Sequence, residues 1–141
     1  MTRIDFYVLP ENGSSKPEAV TCRITEKAYS QGHRIFIHTK SREQAQNLDQ
    51  LLWTYKQDSF LPHALCGTEL ADDSPIQIGF GSEPNGHCDV LINLSGEVPG
   101  FFSRFERVAE LVAGDDDARQ RSRDSFRFYK DRGYPLHTHQ L

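Results

Sequence analysis

Apolar and polar positions regroup along this chain in an alternating strand and helix order. Ile4 to Leu9 (IDFYVL) is a compact β-prone run, closed by Pro10 and the turn-rich Glu11-Asn12-Gly13-Ser14-Ser15, and predicts a first strand. From Lys16 to Ser30, apolar or small residues recur at Val20, Ile24 and Ala28. Pro17 at the start and Gly32 just past the end complete the asymmetry expected of a helix. His33 to His38 (HRIFIH) alternates as a second strand. Ser41-Arg42-Glu43-Gln44 matches a capping box, in which Ser41 accepts from the first-turn backbone and Gln44 reaches back. It opens a helix with Ala45, Leu48, Leu51 and Leu52 on one side, running to about Tyr55.

Further on, Ile76 to Phe80 and Asp89 to Leu94 (DVLINL) read as strands, the second almost continuously apolar, as befits a strand covered on both faces. Phe101, Phe105, Val108 and Val112 fall at helical spacing and predict a helix. Asp115-Asp116-Asp117 supplies an N-cap and favourable negative charge for a last helix, Ala118 to Arg132. His137 and His139 follow in a short polar tail, where such spacing invites adventitious metal binding. The alternation predicts an α/β fold, a mainly parallel central sheet flanked by helices in three layers with right-handed crossovers. At 141 residues, one domain spanning residues 1–141 is expected.

The last helix changes the picture from fold to function. Arg119, Arg123, Phe126, Arg127 and Lys130 fall within an arc of roughly 100° on a helical projection. Ala118, Ser122, Ser125, Phe128 and Tyr129 occupy another sector and suffice as a core face, so Phe126 is expected to look outward amid cations. Residues 119–132 carry a net +4 within a chain of net −4, which leaves −8 on the remainder. General nucleic-acid binding is disfavoured by that acidic remainder, and a small anionic partner fits better.

Other classes find little support. No GxxxxGK[ST] phosphate loop is present, and Gly79-Phe80-Gly81 does not continue as a GxGxxG fingerprint. A GxSxG elbow is also missing. Two alternatives stay open: direct single-stranded DNA binding by the basic helix, with Phe126 stacking a base, and a small-molecule α/β enzyme with residues displayed near the strand ends. Cys22, Cys66 and Cys88 are odd in number and far apart, so reduced, buried thiols are expected rather than disulfides. His63, Cys66, His87, Cys88 and Asp89 would ligate a metal only if folding converged them; no metal or cofactor is expected. No apolar run approaches the ~20 residues of a membrane span, and the chain opens without a signal-peptide core, so the expected address is the cytoplasm.

A second unusual stretch runs from Leu51 to His63 (LLWTYKQDSFLPH) and gathers Trp53, Tyr55, Phe60 and His63 around a helix exit and a loop. Aromatic anchors at such places either cap the core or form a protein interface.

The succession of LLW, SFLPHAL, DVLINL and R-x-S-x-R-F-Y-K-x-x-G-Y resembles, over nearly the whole chain, the chi subunit of bacterial DNA polymerase III holoenzyme. The resemblance implies a nucleotide-binding-like α/β sandwich without nucleotide, and a non-catalytic subunit in the clamp-loader assembly. Its implied partners are the psi subunit and the acidic C-terminal tail of single-stranded DNA-binding protein. It implies tail binding by Val112, Arg123, Phe126, Arg127 and Lys130, with Tyr134 nearby; the charge of the helix adds Arg119, expected to meet the acidic run beside Lys130. Psi binding would use Trp53, Phe60, Leu61 and Pro62. An XPD-like helicase is a further candidate for the Trp53 and Phe60 surface. Phe126 and Arg127 stand where the family pattern has tyrosine and lysine, removing one phenol hydroxyl and changing the geometry of one cation.

Overall fold

A computed structural model describes residues 1–56, 60–68, 71, 73–84, 86 and 89–141. Among these, the chain order is β1 (Arg3–Val8), α1 (Pro17–Ser30), β2 (Ile35–His38), α2 (Arg42–Thr54), β3 (His63–Leu65), β4 (Ile76–Gly79) and β5 (Val90–Asn93). A 3-10 turn (Phe102–Arg104), β6 (Arg107–Val112), α3 (Asp116–Asp131) and β7 (Leu136–Gln140) complete it. The strands form one sheet in the order β3-β4-β2-β5-β6-β1-β7. Every pairing in it is parallel.

Local chemistry accounts for the helix ends. Ser41 Oγ accepts from the Gln44 backbone N–H at 3.0 Å, as a capping box requires, while Gln44 Oε1 reaches one residue further back than expected and accepts from the Lys40 N–H at 3.0 Å. Asp115 accepts from the Ala118 N–H at 3.1 Å, and Asp116 and Asp117 place negative charge at the positive end of α3. Gly32, at φ +85°, lets the chain turn out of α1.

Two apolar layers hold the helices to the sheet. Val20, Cys22 and Ala28 of α1 and Ala45, Leu48 and Leu52 of α2 pack on Ile35, Ile37, Ile76, Ile78 and Ile92. On the opposite face Tyr129 of α3 and Phe101, Phe102 and Phe105 pack on Ile4, Phe6, Phe36, Leu91 and Val108. The three-layer α/β architecture is therefore the one the alternation predicts.

Two segments differ from their sequence reading. Phe101, Phe105, Val108 and Val112 do not form a helical stripe: the phenylalanines sit in and around the 3-10 turn, and the valines belong to β6. Val108, Glu110 and Val112 face one layer while Ala109 and Leu111 face the other, so the governing period is two. The supposed polar tail is β7, an edge strand paired with β1, in which Leu136 alone joins the core. The three-residue β3 was not foreseen either.

Candidate functional site

Between α3 and the β7 edge lies a groove of about 570 Å3, lined by Phe6, Val8, Ser122, Arg123, Phe126, Arg127, Lys130, Asp131 and Thr138. Its floor follows from the alternation of β1, which turns Phe6 and Val8 to the α3 face and Asp5 and Tyr7 to the other. Phe126 is half-buried, its ring centroid 5.5 Å from that of Phe6. The ring is thus a wall of the groove, not the fully outward aromatic expected from the helical projection. Arg123 donates to Gln120 Oε1 at 2.9 Å and remains exposed. Among the described residues, the Arg127 and Lys130 side chains have no hydrogen-bond or ion-pair partner. Three cations against one carboxylate, Asp131, border an apolar floor, an arrangement suited to a ligand with a ring and a negative end.

Three expected members of this site lie elsewhere. Val112 is only 4% exposed in the core beneath α3; its register partner Val8, one strand nearer the edge, takes the place in the groove. Arg119 turns away, donating to Leu9 O at 3.3 Å and Gly114 O at 3.4 Å and pairing with Glu11, so it ties the first turn of α3 to the end of β1. Tyr134 is half-buried, packing 5.2 Å from the Phe102 ring and 6.3 Å from the Tyr129 ring. Phe6, Val8, Ser122, Asp131 and Thr138 are the lining residues that the sequence reading missed. Only the alternation of IDFYVL hinted at the first two.

The aromatic stretch forms a second surface. Trp53 is 51% exposed and Phe60 66%, with ring centroids 5.6 Å apart. His63 supports them from below, 4.4 Å from the Trp53 ring. Its Nδ1 lies 2.6 Å from Leu61 O and its Nε2 3.0 Å from Asp49 O, pinning the loop to α2. Pro62 is half-buried beside them, whereas Leu61, 3% exposed, faces into the core and is not part of the surface. Residues 57–59 of this stretch lie outside the described residues.

A third concavity, about 880 Å3, opens at the carboxyl ends of the strands, where ligands of parallel sheets gather. At its base Glu110 accepts from Tyr129 Oη at 2.6 Å and from Asn93 Nδ2 at 2.9 Å. Burial pushes the Glu110 carboxyl up to about 7, against the lowering effect of those two donors. Burial likewise raises the Tyr129 phenol, helped by Glu110 itself. His38, also in this cleft and lowered by burial, has no hydrogen-bond partner for its buried Nδ1 among the described residues.

Metal and thiol chemistry can be placed more briefly. Cys22 is buried, and its thiol is pushed up to about 11 by burial and by Glu18. Cys66 is half-buried at the edge of the α3-side core, and His87 and Cys88 lie outside the described residues. Among the described residues, no three of His, Cys, Asp or Glu are grouped to hold a metal. His139 is engaged instead, stacked 4.6 Å from Tyr7 with Nε2 2.9 Å from Asp5 Oδ1. No helix among the described residues is long and apolar enough to cross a membrane.

The domain is an open parallel α/β sheet with a basic groove at one edge and the exposed Trp53 and Phe60 toward the other. The family described as DNA polymerase III chi subunit, HolC, matches residues 1–137, and the chain belongs to it. A protein of Pseudomonas aeruginosa named DNA polymerase III subunit chi is 44% identical over all of this chain and 98% of its own length. Proteins of the same name from Haemophilus influenzae and Escherichia coli are each 29% identical, over 96% and 98% of this chain and 95% and 97% of theirs. The chain is accordingly an accessory subunit of DNA polymerase III in DNA replication.

Proposed function

We propose that this subunit is a non-catalytic adaptor of the clamp-loader assembly, working in the cytoplasm. In this reading its α3 groove holds the acidic C-terminal tail of single-stranded DNA-binding protein, and its Trp53–Phe60 surface holds the psi subunit. The groove carries the proposal: Phe6, Val8 and Phe126 offer an apolar seat directly beside Arg123, Arg127 and Lys130. A tail ending in an aromatic ring and a free carboxylate, preceded by aspartates, matches that seat group for group. Arg127, with its guanidinium uncommitted, is the better placed to take the terminal carboxylate as a fork, while Lys130 and Arg123 meet the acidic run.

Magnitudes favour a weak, salt-sensitive contact. A hydrogen bond to a charged group contributes about 1.5–3 kcal/mol and an exposed ion pair about 0–1 kcal/mol. With one seated carboxylate, one buried ring and two loose pairs, the contact is expected in the micromolar range, about −8 kcal/mol. Several tails on an oligomeric partner raise the apparent affinity without new contacts.

The strand order supports simultaneous occupancy. The aromatic surface adjoins β3 through α2 and the groove adjoins β7, at opposite edges of the sheet. At about 4.8 Å per strand the two stand roughly 30 Å apart. An XPD-like helicase would compete with psi for Trp53 and Phe60, not with the tail.

The test is titration with a peptide ending Asp-Asp-Ile-Pro-Phe at low and moderate salt, beside a single-stranded oligonucleotide. Micromolar peptide binding that weakens with salt and is lost in the Arg123→Ala, Arg127→Ala double variant supports the adaptor. Absence of binding, an unaffected double variant, or a preference for the oligonucleotide refutes it.

A further inference from the structure

The groove is open on one side, and what borders it there is a bare strand edge. The phase of the β1–β7 ladder fixes which backbone groups are spoken for. Ile4 N–H donates to Pro135 O at 2.9 Å and Leu141 N–H donates to Val8 O at 3.0 Å. With Ile4, Phe6 and Val8 in register with Leu136, Thr138 and Gln140, His137 and His139 turn their N–H and C=O toward β1. The N–H and C=O groups of Leu136, Thr138 and Gln140 therefore point away from the sheet, at its outer edge.

That edge lacks the usual protection. Natural edge strands are blunted by charge, proline or brevity, yet Leu136–Gln140 (LHTHQ) contains no Lys, Arg, Asp, Glu or Pro. The opposite edge strand, β3, has three residues against five here. Side chains at 136, 138 and 140 also share the α3 face, and Thr138 itself lines the groove between the edge and Arg127 and Lys130. A strand laid beside β7 would thus present every second side chain toward the cations of α3.

We propose that β7 accepts an extended acidic peptide segment as an eighth strand, continuous with the chain whose terminus sits in the groove. This rests on the groove reading above and adds to it the backbone. Three outward N–H groups and their neighbouring carbonyls supply the pairing. Carboxylates at alternate positions face Arg127 and Lys130, so the charge pattern selects an acidic strand over a neutral one.

The experiment compares a five-residue peptide, Asp-Asp-Ile-Pro-Phe, with one extended upstream by seven residues rich in aspartate. Two further versions of the long peptide carry N-methyl groups on one or the other alternate set of upstream amides, leaving all charges unchanged. The long peptide is expected to bind about tenfold tighter than the short one. Only one methylated set should return it to the short peptide's affinity, because only alternate amides face β7. Amide exchange at Leu136, Thr138 and Gln140 should slow with the long peptide and not with the short one. Equal effects of the two methylated sets, or unchanged exchange at those amides while both peptides bind, overturns strand addition and leaves the groove reading intact. Failure of the short peptide to bind overturns the groove reading and this one with it.

Discussion

Glu110 offers the sharpest test of the packing beneath α3. Its carboxyl is almost wholly buried and takes hydrogen bonds from Tyr129 and Asn93, with no cation beside it among the described residues, so burial lifts it from 4.5 to about 7. In the unfolded chain it ionises near its ordinary value of 4.5. Below that value both states hold the proton and nothing is lost. As pH rises toward 7 the unfolded state releases a proton that the native state keeps, so stability falls, and above 7 the loss is constant. At 1.36 kcal/mol per pH unit the full loss is about 3 kcal/mol. Glu110→Gln mimics the protonated acid in shape and still offers one oxygen to Tyr129 and Asn93, yet has nothing to ionise. Urea unfolding at pH 4 and pH 8 should find the variant close to wild type at pH 4. At pH 8 it should be about 3 kcal/mol more stable, a midpoint about 1.5 M higher for a typical urea slope. A constant offset between the two proteins across that range would refute the account, since it would mean that the buried carboxyl never resists ionisation.

Three other outcomes follow from named contacts. Phe60→Ala should leave the thermal midpoint unchanged and abolish capture of psi, whereas Leu61→Ala should destabilise by about 2–5 kcal/mol; pull-down and calorimetry separate them. Val8→Ala should weaken the tail peptide several-fold, while Val112→Ala, in the core, should lower stability and spare peptide affinity once folded, as titration calorimetry would register. Burial pushes Asp5 up, but donors from His139 at 2.9 Å, Arg107 at 2.9 Å and Arg3 at 3.1 Å outweigh it and hold the carboxyl below its usual range. That stability is present above the ordinary carboxylate value and lost as pH falls through the lowered one, so Asp5→Asn should cost about 1–3 kcal/mol at pH 7 and progressively less by pH 3 in urea titrations.

Elements with their own punctuation were legible in the sequence. Pro17 and Gly32 delimit α1, Ser41 and Gln44 open α2, and Asp115 opens α3, because caps act through residues three or four apart. β6 was hidden since Glu110 interrupts its apolar run and the spacing of Phe101, Phe105, Val108 and Val112 coincides with a helical period. β7 was hidden because an edge strand needs no apolar alternation. At the groove, Arg123, Phe126, Arg127 and Lys130 come from one helix and could be read as a stripe. Phe6, Val8 and Thr138 come from strands that meet α3 only through the fold, and the reach of Arg119 back to Leu9 O is invisible on a helical projection.

The placement of β1 between β6 and β7 also orders events in time. Leu9 is 110 residues from Arg119 and Asp5 is 134 from His139, so β1 meets α3 and β7, the two sides of the groove, only by closing long loops. Such non-local pairings form late and slowly. Trp53 and Phe60, carried by local helix and loop structure, leave the ribosome well before the strands that complete the groove. A nascent chain therefore exposes Trp53 and Phe60 before α3 and β7, which complete its basic cradle, have been synthesised.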